Sequence, residues 1–341
     1  MKILTVASFM LAAAAGSAAP YAPQPVPLPD KGAPYLTADG SIYVAGNDLV
    51  DDLFQQLNEI FVKTHPGFKF KQDMIDSNLA VTGLTAGRSA LGPIGREAMP
   101  QEIRAFVARF GYPPKDFLLG YDQSPDPDIF PPGKHPPAIW VNVRNPLPKL
   151  TLKQVAKIFT SGGADGDITA WRQLGLGGEW ANREIHVYLP ANRDAAFLFN
   201  LRDQLGKAPF TARAEQLPGI REVMAAVAQD PYGIGIIGYW PGDAGWDRQA
   251  EYGPLTKLVP LAATADDRFS RAAPGEHFPI APGIHLFVNQ KPGTPLEPWI
   301  AEYVRLALSD DGQKLIRDKA DTDGFVALAP DERERELAKL K

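Results

Sequence analysis

Four polar turns carry side chains able to hold a small charged solute: Gly46-Asn47-Asp48, Asp76-Ser77-Asn78, Gly95-Arg96 and Asn192-Arg193-Asp194. Each lies between a β-like run and a helix start. A helix start leaves its first backbone N–H groups unpaired beside the positive end of the dipole, so oxyanions settle there. Ser77, Asn47, Asn78 and Asn192 would add hydrogen bonds, and Arg96 and Arg193 a positive charge. The same residue types are the preferred helix caps, so any one turn alone reads as a cap. Together they read as converging walls of a cleft. The first turn also carries a conflict, because Asp48, with Asp51 and Asp52 behind it, puts carboxylates where an anion would sit. Like charges about 4 Å apart repel by about 4 kcal/mol at an effective dielectric of 20. The expectation is that Asp48 caps its own helix and that binding of a phosphate dianion there is weakened.

Other chemistry is poorly supplied. The chain has no cysteine, and its five histidines (His65, His135, His186, His277, His285) show no i, i+3 or i+4 spacing to one another, so no metal or cofactor site is expected. "GIGIIG" (233–238) matches a dinucleotide pattern, but a helix precedes it and "YWPGD" follows where a helix should start, so close backbone packing is the better reading. No G-x-S-x-G elbow or Ser/His/Asp set stands out, and nothing requires an enzyme. A net charge of −5 supplies no basic field for nucleic acid or anionic lipid. "DERERE" near the C-terminus reads as a solvated helix face.

The elements that must position the turns alternate. "SIYV", an amphipathic helix with Leu49, Leu53, Leu57 and Phe61 at four-residue intervals, and "FKFKQDMI" form a β-α-β unit. "NLAVTGLTAG" is helix-like and "SALGPIG" a short buried strand. Residues 111–137 are crowded with proline and read as a loop. "AIWVNV", "EIHVYLP", "GIGIIGYW" and "GIHLFVNQ" read as strands. "TLKQVAKIFTS" is a helix with a capping box from Thr151 to Gln154. "AAFLFNLRDQLG", "GIREVMAAVAQDP" and the stretch from Pro295 supply further helices. The alternation predicts an α/β fold with largely parallel sheets.

At 341 residues, 45% hydrophobic and 22% charged, the chain has the composition of a globular protein of about two domains. Residues 1–19 read as a signal peptide: Lys2, the apolar "ILTVASFMLAAAA", and a small-residue cleavage region ending near Ala18/Ala19. The apolar run is shorter than the about 20 residues a membrane span needs. Without a cysteine the chain cannot be a lipoprotein, and the periplasm is the expected location. Residues 20–36, rich in proline, read as an extended mobile leader.

The order of segments resembles the phosphate-binding proteins of bacterial ABC transporters, within the class II periplasmic solute-binding family. The likeness covers about residues 40–330. It is carried by "NPLPKLTLKQVAKIFTSGGADGDITAWRQLG", "EVMAAVAQDPYGIGIIGY", "GIHLFVNQKPGTPLEPWIAEYVRLALSDDGQKLI" and "GFVAL", which has Ala327 in place of the family's proline. The resemblance implies two hinged lobes, each a mixed sheet flanked by helices, with the ligand cleft between them. Lobe 1 would take residues 37–139 plus 284–341 and lobe 2 residues 140–283. It also implies phosphate held by hydroxyls, helix-start N–H groups and one arginine. The ligand turns depart from the family pattern. Asn47-Asp48 stand for its hydroxyls, Ser77 alone is kept of G-S-G, Ala90 and Gly95 replace an aspartate and a serine before Arg96, and Arg193-Asp194-Ala195 replace S-G-T.

The sequence therefore points to an exported, non-enzymatic solute-binding protein that binds phosphate or a diverged small ligand. Arg96 would pair with an acidic group of that ligand, Ser77 and Asn78 would hydrogen-bond it, and Arg193 or Asp194 would close from the other lobe. The expected partner is an ABC permease, with no nucleic acid involved, and the chain would be monomeric. The alternative is a binding-protein fold acting as sensor, scaffold or interaction protein without a transport role.

Overall fold

The computed structural model describes residues 20–123, 137–191, 201–202, 204–206, 208–238, 253–270 and 277–340. Residues 1–19, expected to be a signal peptide, the turn Asn192-Arg193-Asp194 and most of the helix expected after it lie outside these residues.

The first core begins with β1 (Ile42–Gly46), a 3-10 turn (Asp48–Val50), α1 (Asp51–Thr64), β2 (Phe70–Met74), α2 (Ser77–Thr85) and β3 (Gly92–Ile94). It continues with α3 (Pro100–Phe110) and β4 (Lys115–Asp122). After the second core the chain returns with β12 (Gly283–Val288), α6 (Pro298–Leu308), α7 (Asp310–Asp318), β13 (Phe325–Ala327) and α8 (Pro330–Ala338). Between these lie β5 (Pro137–Asn142), β6 (Leu150–Thr151), α4 (Leu152–Phe159), β7 (His186–Pro190), β8 (Glu215–Leu217), α5 (Ile220–Gln229), β9 (Gly233–Gly238), β10 (Thr256–Leu258) and β11 (Leu261–Ala262).

The fold is α/β, with two main sheets and two large cores. One sheet runs β13-β4-β12-β3, with the parallel pair β1–β2 beside it through a Val44–Leu91 bridge; the other runs β10-β5-β9-β7-β8. The expectation of largely parallel sheets needs correction. Every pair of the first four-stranded sheet is antiparallel, and in the second only β9–β7 and β7–β8 are parallel. The reason is that β12, which crosses back from the second core, inserts between β3 and β4 and runs against both. Leu53, Phe54, Leu57 and Phe61 of α1 pack with Trp299, Tyr303 and Ile300 of α6, while Trp171, Phe159, Val223 and Ile236 anchor the second core. The Thr151–Gln154 capping box is present at α4.

Three other sequence readings are corrected. The proline-rich stretch 111–137 contains β4, a central strand hydrogen-bonded to both β12 and β13. Its eight residues "KDFLLGYD" fall between the prolines at 113–114 and 125 and hold none, so each can donate to the ladder. Residues 20–36 are not a mobile leader. Tyr21 donates its hydroxyl (2.9 Å) and Gln24 its N–H (2.9 Å) to Glu302 Oε1, and His65 Nε2 meets the Gln24 carbonyl at 3.0 Å. Glu302 is completely buried, and Arg305 Nε completes its shell at 2.8 Å. The charged C-terminal helix is only partly solvated. Arg333 is buried against Asp310 at 2.9 Å, and Glu336 accepts the Leu118 N–H at 3.0 Å.

Candidate functional site

The parallel pair β1–β2, the parallel Val44–Leu91 bridge and the shared antiparallel partner β12 make β1, β2, β3 and β4 run the same way. Their carboxyl ends therefore gather on one edge, where open α/β sheets place ligands. Backbone bonds draw the turns together: Asn47 N–H reaches the Pro93 carbonyl at 3.1 Å, and Asp76 N–H the Gly46 carbonyl at 3.2 Å. Asn47, Asp48, Ser77, Asn78 and Arg96 are thus neighbours on one edge. Asn192, Arg193 and Asp194 lie outside the described residues. The described grooves of about 700 and 710 Å³ lie on the α1–β2 flank and beside α2, and none of the turn residues lines either one.

Asp48 does not cap its helix. The chain makes a 3-10 turn before α1, and the exposed Asp48 carboxylate takes the Asn47 side-chain amide at 2.7 Å. Asn47 is buried, and its Oδ1 accepts the Gly95 N–H at 3.3 Å. Of the acidic residues behind, Asp51 accepts Gln72 Nε2 at 2.6 Å and Asp52 pairs with Lys319. The carboxylate that does cap is Asp76, which takes the Asn78 N–H at 2.7 Å at the start of α2. Ser77, half-buried at the first position of α2, has a hydroxyl without a partner among the described residues.

Arg96 is already engaged. Its Nη1 and Nη2 each meet a Glu102 oxygen at 2.9 Å, in a two-pronged pair in which both side chains are buried. Nη1 also reaches the Glu97 carbonyl at 2.9 Å, and Nη2 lies 3.4 Å from Asn78 Oδ1. Glu102 additionally accepts the Met99 N–H at 2.7 Å, closing the N-terminus of α3. Arg96, expected to pair with an acidic group of the ligand, thus has its charge balanced within the protein.

Three acidic residues escaped the sequence reading. Glu102 sits at the third position of α3, and its signal was the start "PQEI" after Met99. Asp122 ends β4 and is buried; a Cβ on Gly95 would stand 3.0 Å from its Oδ2 and 3.2 Å from Asn47 Oδ1. This crowding explains glycine at position 95. Glu97 reaches from the Arg96 turn to the start of β12, where its Oε1 accepts the Gly283 N–H at 3.3 Å.

Beside Glu97 lies the buried His285, whose Nδ1 is 2.8 Å from Asp116 Oδ1 and whose Nε2 is 3.9 Å from Glu97 Oε1. Burial pushes the imidazole pKa down, but the charge and hydrogen bond of Asp116, helped by Glu97, outweigh it and lift it to about 10. Burial likewise works to raise the pKa of Asp116, and the His285 charge outweighs it, holding that carboxyl below its usual range. Among the described residues no group of His, Cys, Asp or Glu is arranged to hold a metal, and no helix is long and apolar enough to cross a membrane.

The chain is 27% identical over 353 residues to the phosphate-binding protein PstS of Pseudomonas aeruginosa strain PAO1, covering 100% of this chain and 99% of that one. Among solved structures, PstS from Borrelia burgdorferi aligns at 16% identity and TM-score 0.46, covering 84% of this chain and 98% of that one. An ABC-type phosphate transport receptor from Vibrio cholerae aligns at 16% identity and TM-score 0.44, covering 84% of this chain and 99% of that one. The description "PBP superfamily domain" matches residues 32–311, and on that match the chain belongs to the PBP superfamily.

Proposed function

We propose that this protein is a non-enzymatic solute-binding component of a transporter of the phosphate ABC type, exported to the periplasm after loss of residues 1–19. Its first lobe comprises residues 37–123 with 284–341, and its second begins at β5, whose Ala138 and Ile139 pack in the second core, and runs to residue 283. Its ligand lies between them against Asn47, Asp48, Ser77, Asn78 and Arg96, with Asn192, Arg193 and Asp194 closing from the second lobe. The whole-chain likeness to a protein named for phosphate binding supports the class. The gathering of the turns at the carboxyl ends of β1, β2 and β3 supports the location. The working form is a monomer that presents its closed lobes to a membrane permease.

The buried Arg96–Glu102 pair supports a particular ligand chemistry. With Arg96 neutralised and Asp48 and Asp76 nearby, a phosphate dianion meets more negative charge than positive on the first-core side. The site suits a small solute whose hydroxyl or cationic groups donate to these carboxylates. The sensor or scaffold reading has one observation in its favour: the N–H groups of Gly95 and Asn78 are already taken by Asn47 and Asp76.

Thermal unfolding of residues 20–341 with phosphate, sulfate, polyols and amino acids tests this. A ligand at 100 times its dissociation constant stabilises by about 2.7 kcal/mol, a shift of a few degrees. A polyol or amino-acid shift supports the proposal. A phosphate shift alone overturns the charge argument, and no shift with any solute favours the sensor or scaffold.

A further inference from the structure

The two cores are joined where β4 leaves the first sheet and β12 re-enters it. Just ahead of β12, Phe278, Ile280 and Ala281 belong to the second core, whereas Ile284 and Leu286 belong to the first. The chain therefore passes from one core to the other across Pro282 and Gly283. First-core residues clasp this passage: Asp122 N–H donates to the Pro282 carbonyl at 2.9 Å, the Gln123 side chain accepts the Phe278 N–H, and Glu97 Oε1 accepts the Gly283 N–H at 3.3 Å. Among these only Glu97 is adjacent in sequence to a candidate ligand residue, and Arg96 holds its carbonyl at 2.9 Å.

The surroundings of Glu97 are incompletely satisfied. Among the described residues Glu97 Oε2 and His285 Nε2 are both buried without a hydrogen-bond partner, although His285 carries a proton on each ring nitrogen when charged. Glu97 Oε1 stands 3.9 Å from that Nε2, beyond hydrogen-bond reach. Buried orphans of complementary chemistry at such a separation call for a physical account. Here the strand itself supplies one. The β12–β4 register slips between Ile284 and His285, a bulge that re-aims the His285 side chain. The imidazole then lies over Gly283, where a Cβ would come within 2.2 Å of Nε2. Gly283 and His285 thus offer Glu97 two alternative donors on one strand. A small shift of the Glu97 carboxylate along β12 would exchange the backbone N–H for the imidazolium.

We propose that Glu97 is a positioning residue that couples the Arg96 turn to the interlobe passage, bonded to Gly283 N–H in one lobe arrangement and to His285 Nε2 in the other. This deepens the solute-binding reading and rests on it for the role of Arg96. A two-state contact of this kind gives a ligand at the turn a means of biasing lobe orientation, since it need only favour one of the two bonds.

The chain's lack of cysteine allows a clean test. Cysteines placed at the exposed positions Gln55 and Glu179, one on each core, carry spin labels, and pulsed electron resonance reads the interlobe distance without added solute. The proposal expects Glu97→Gln to shift the mean distance or remove one population. It expects His285→Gln to act in the same sense, and the double variant to add nothing to either single change. Superimposable distributions for unsubstituted and Glu97→Gln protein overturn it, as do additive effects of the two substitutions. Should His285→Gln fail to fold, Glu97→Asp takes its place: the shortened carboxylate loses the imidazole, so an unchanged distribution overturns the proposal and a shift supports it. Because the distance is read without solute, a negative solute screen would count against the proposed function and leave this result standing.

Discussion

The buried His285–Asp116 pair makes the protein's stability depend on alkaline pH in a calculable way. The His285 pKa rises from 6.5 to about 10 in the folded chain, and one pKa unit corresponds to about 1.4 kcal/mol, so the imidazolium contributes up to about 5 kcal/mol. Because the folded pKa lies above the unfolded one, this contribution is fully present below pH 6.5 and is lost as pH rises through about 10. Its size is comparable with the whole stability of many domains. The groups that face the ring are Asp116 from β4 and Glu97 from the turn after β3, with Lys339 Nζ bound to the Asp116 carbonyl at 3.1 Å. Asp116, whose pKa is lowered, adds stability only above its own acidic range and does not offset the alkaline loss.

The assay is denaturant unfolding of residues 20–341 from pH 6 to pH 9.5, below the range where the buried tyrosines begin to ionise. The unsubstituted protein should lose about 4 kcal/mol between pH 6.5 and 9.5. His285→Gln should start lower at pH 6.5, because two carboxylates lose their cation, and stay nearly flat. The two curves then converge towards pH 10. A flat curve for the unsubstituted protein, or parallel slopes in both proteins, would refute the reasoning.

Two other changes follow from buried carboxylates. Tyr21→Phe removes a hydrogen bond to the fully buried Glu302 and should cost about 1.5–3 kcal/mol in denaturant unfolding, the range for bonds to charged groups. Glu102→Ala strands the buried Arg96 and should cost about 3–5 kcal/mol by the same measurement, whereas an effect under about 1 kcal/mol would mean the pair is not desolvated as described.

What was legible in the sequence was the pattern of local elements. Leu53, Leu57 and Phe61 announce α1 because a helix buries one stripe, and Thr151 with Gln154 announces α4 because the cap is a short-range bond. The candidate site was legible as a set of turns for the same reason: Asn, Asp and Ser at strand ends are local signals. Pairing across the chain was not. Glu102 lies six residues from Arg96 yet meets it only because the chain turns into α3. Asp122 comes beside Gly95 only because β3 and β4, far apart in sequence, flank β12 and run the same way. Composition misled at 111–137, where frequent prolines hid the eight proline-free residues of β4. It misled again at 20–36, where extended backbone was read as mobile although Tyr21 and Gln24 find a carboxylate 281 and 278 residues away.

These long-range pairings bear on how an oxyanion could enter the site. Gly95 N–H goes to Asn47, Asn78 N–H to Asp76, and the guanidinium of Arg96 to Glu102, Glu97 and Asn78. An incoming phosphate must therefore displace an internal acceptor, and the most accessible is the exposed Asp76. Asp76→Ala forfeits a helix cap, costing about 1 kcal/mol of stability, but releases the Asn78 N–H and removes one negative charge. In water a unit charge pair about 4 Å apart is worth about 1 kcal/mol, so a dianion gains about 2 kcal/mol, roughly thirtyfold in affinity. Calorimetric titration with inorganic phosphate at low ionic strength reads this directly. Tighter binding by Asp76→Ala than by the unsubstituted protein means the carboxylate stands in the anion's place. Equal or weaker binding means that phosphate, where it binds, needs Asp76 as an acceptor or lies elsewhere, and the account of the site's charge would fall.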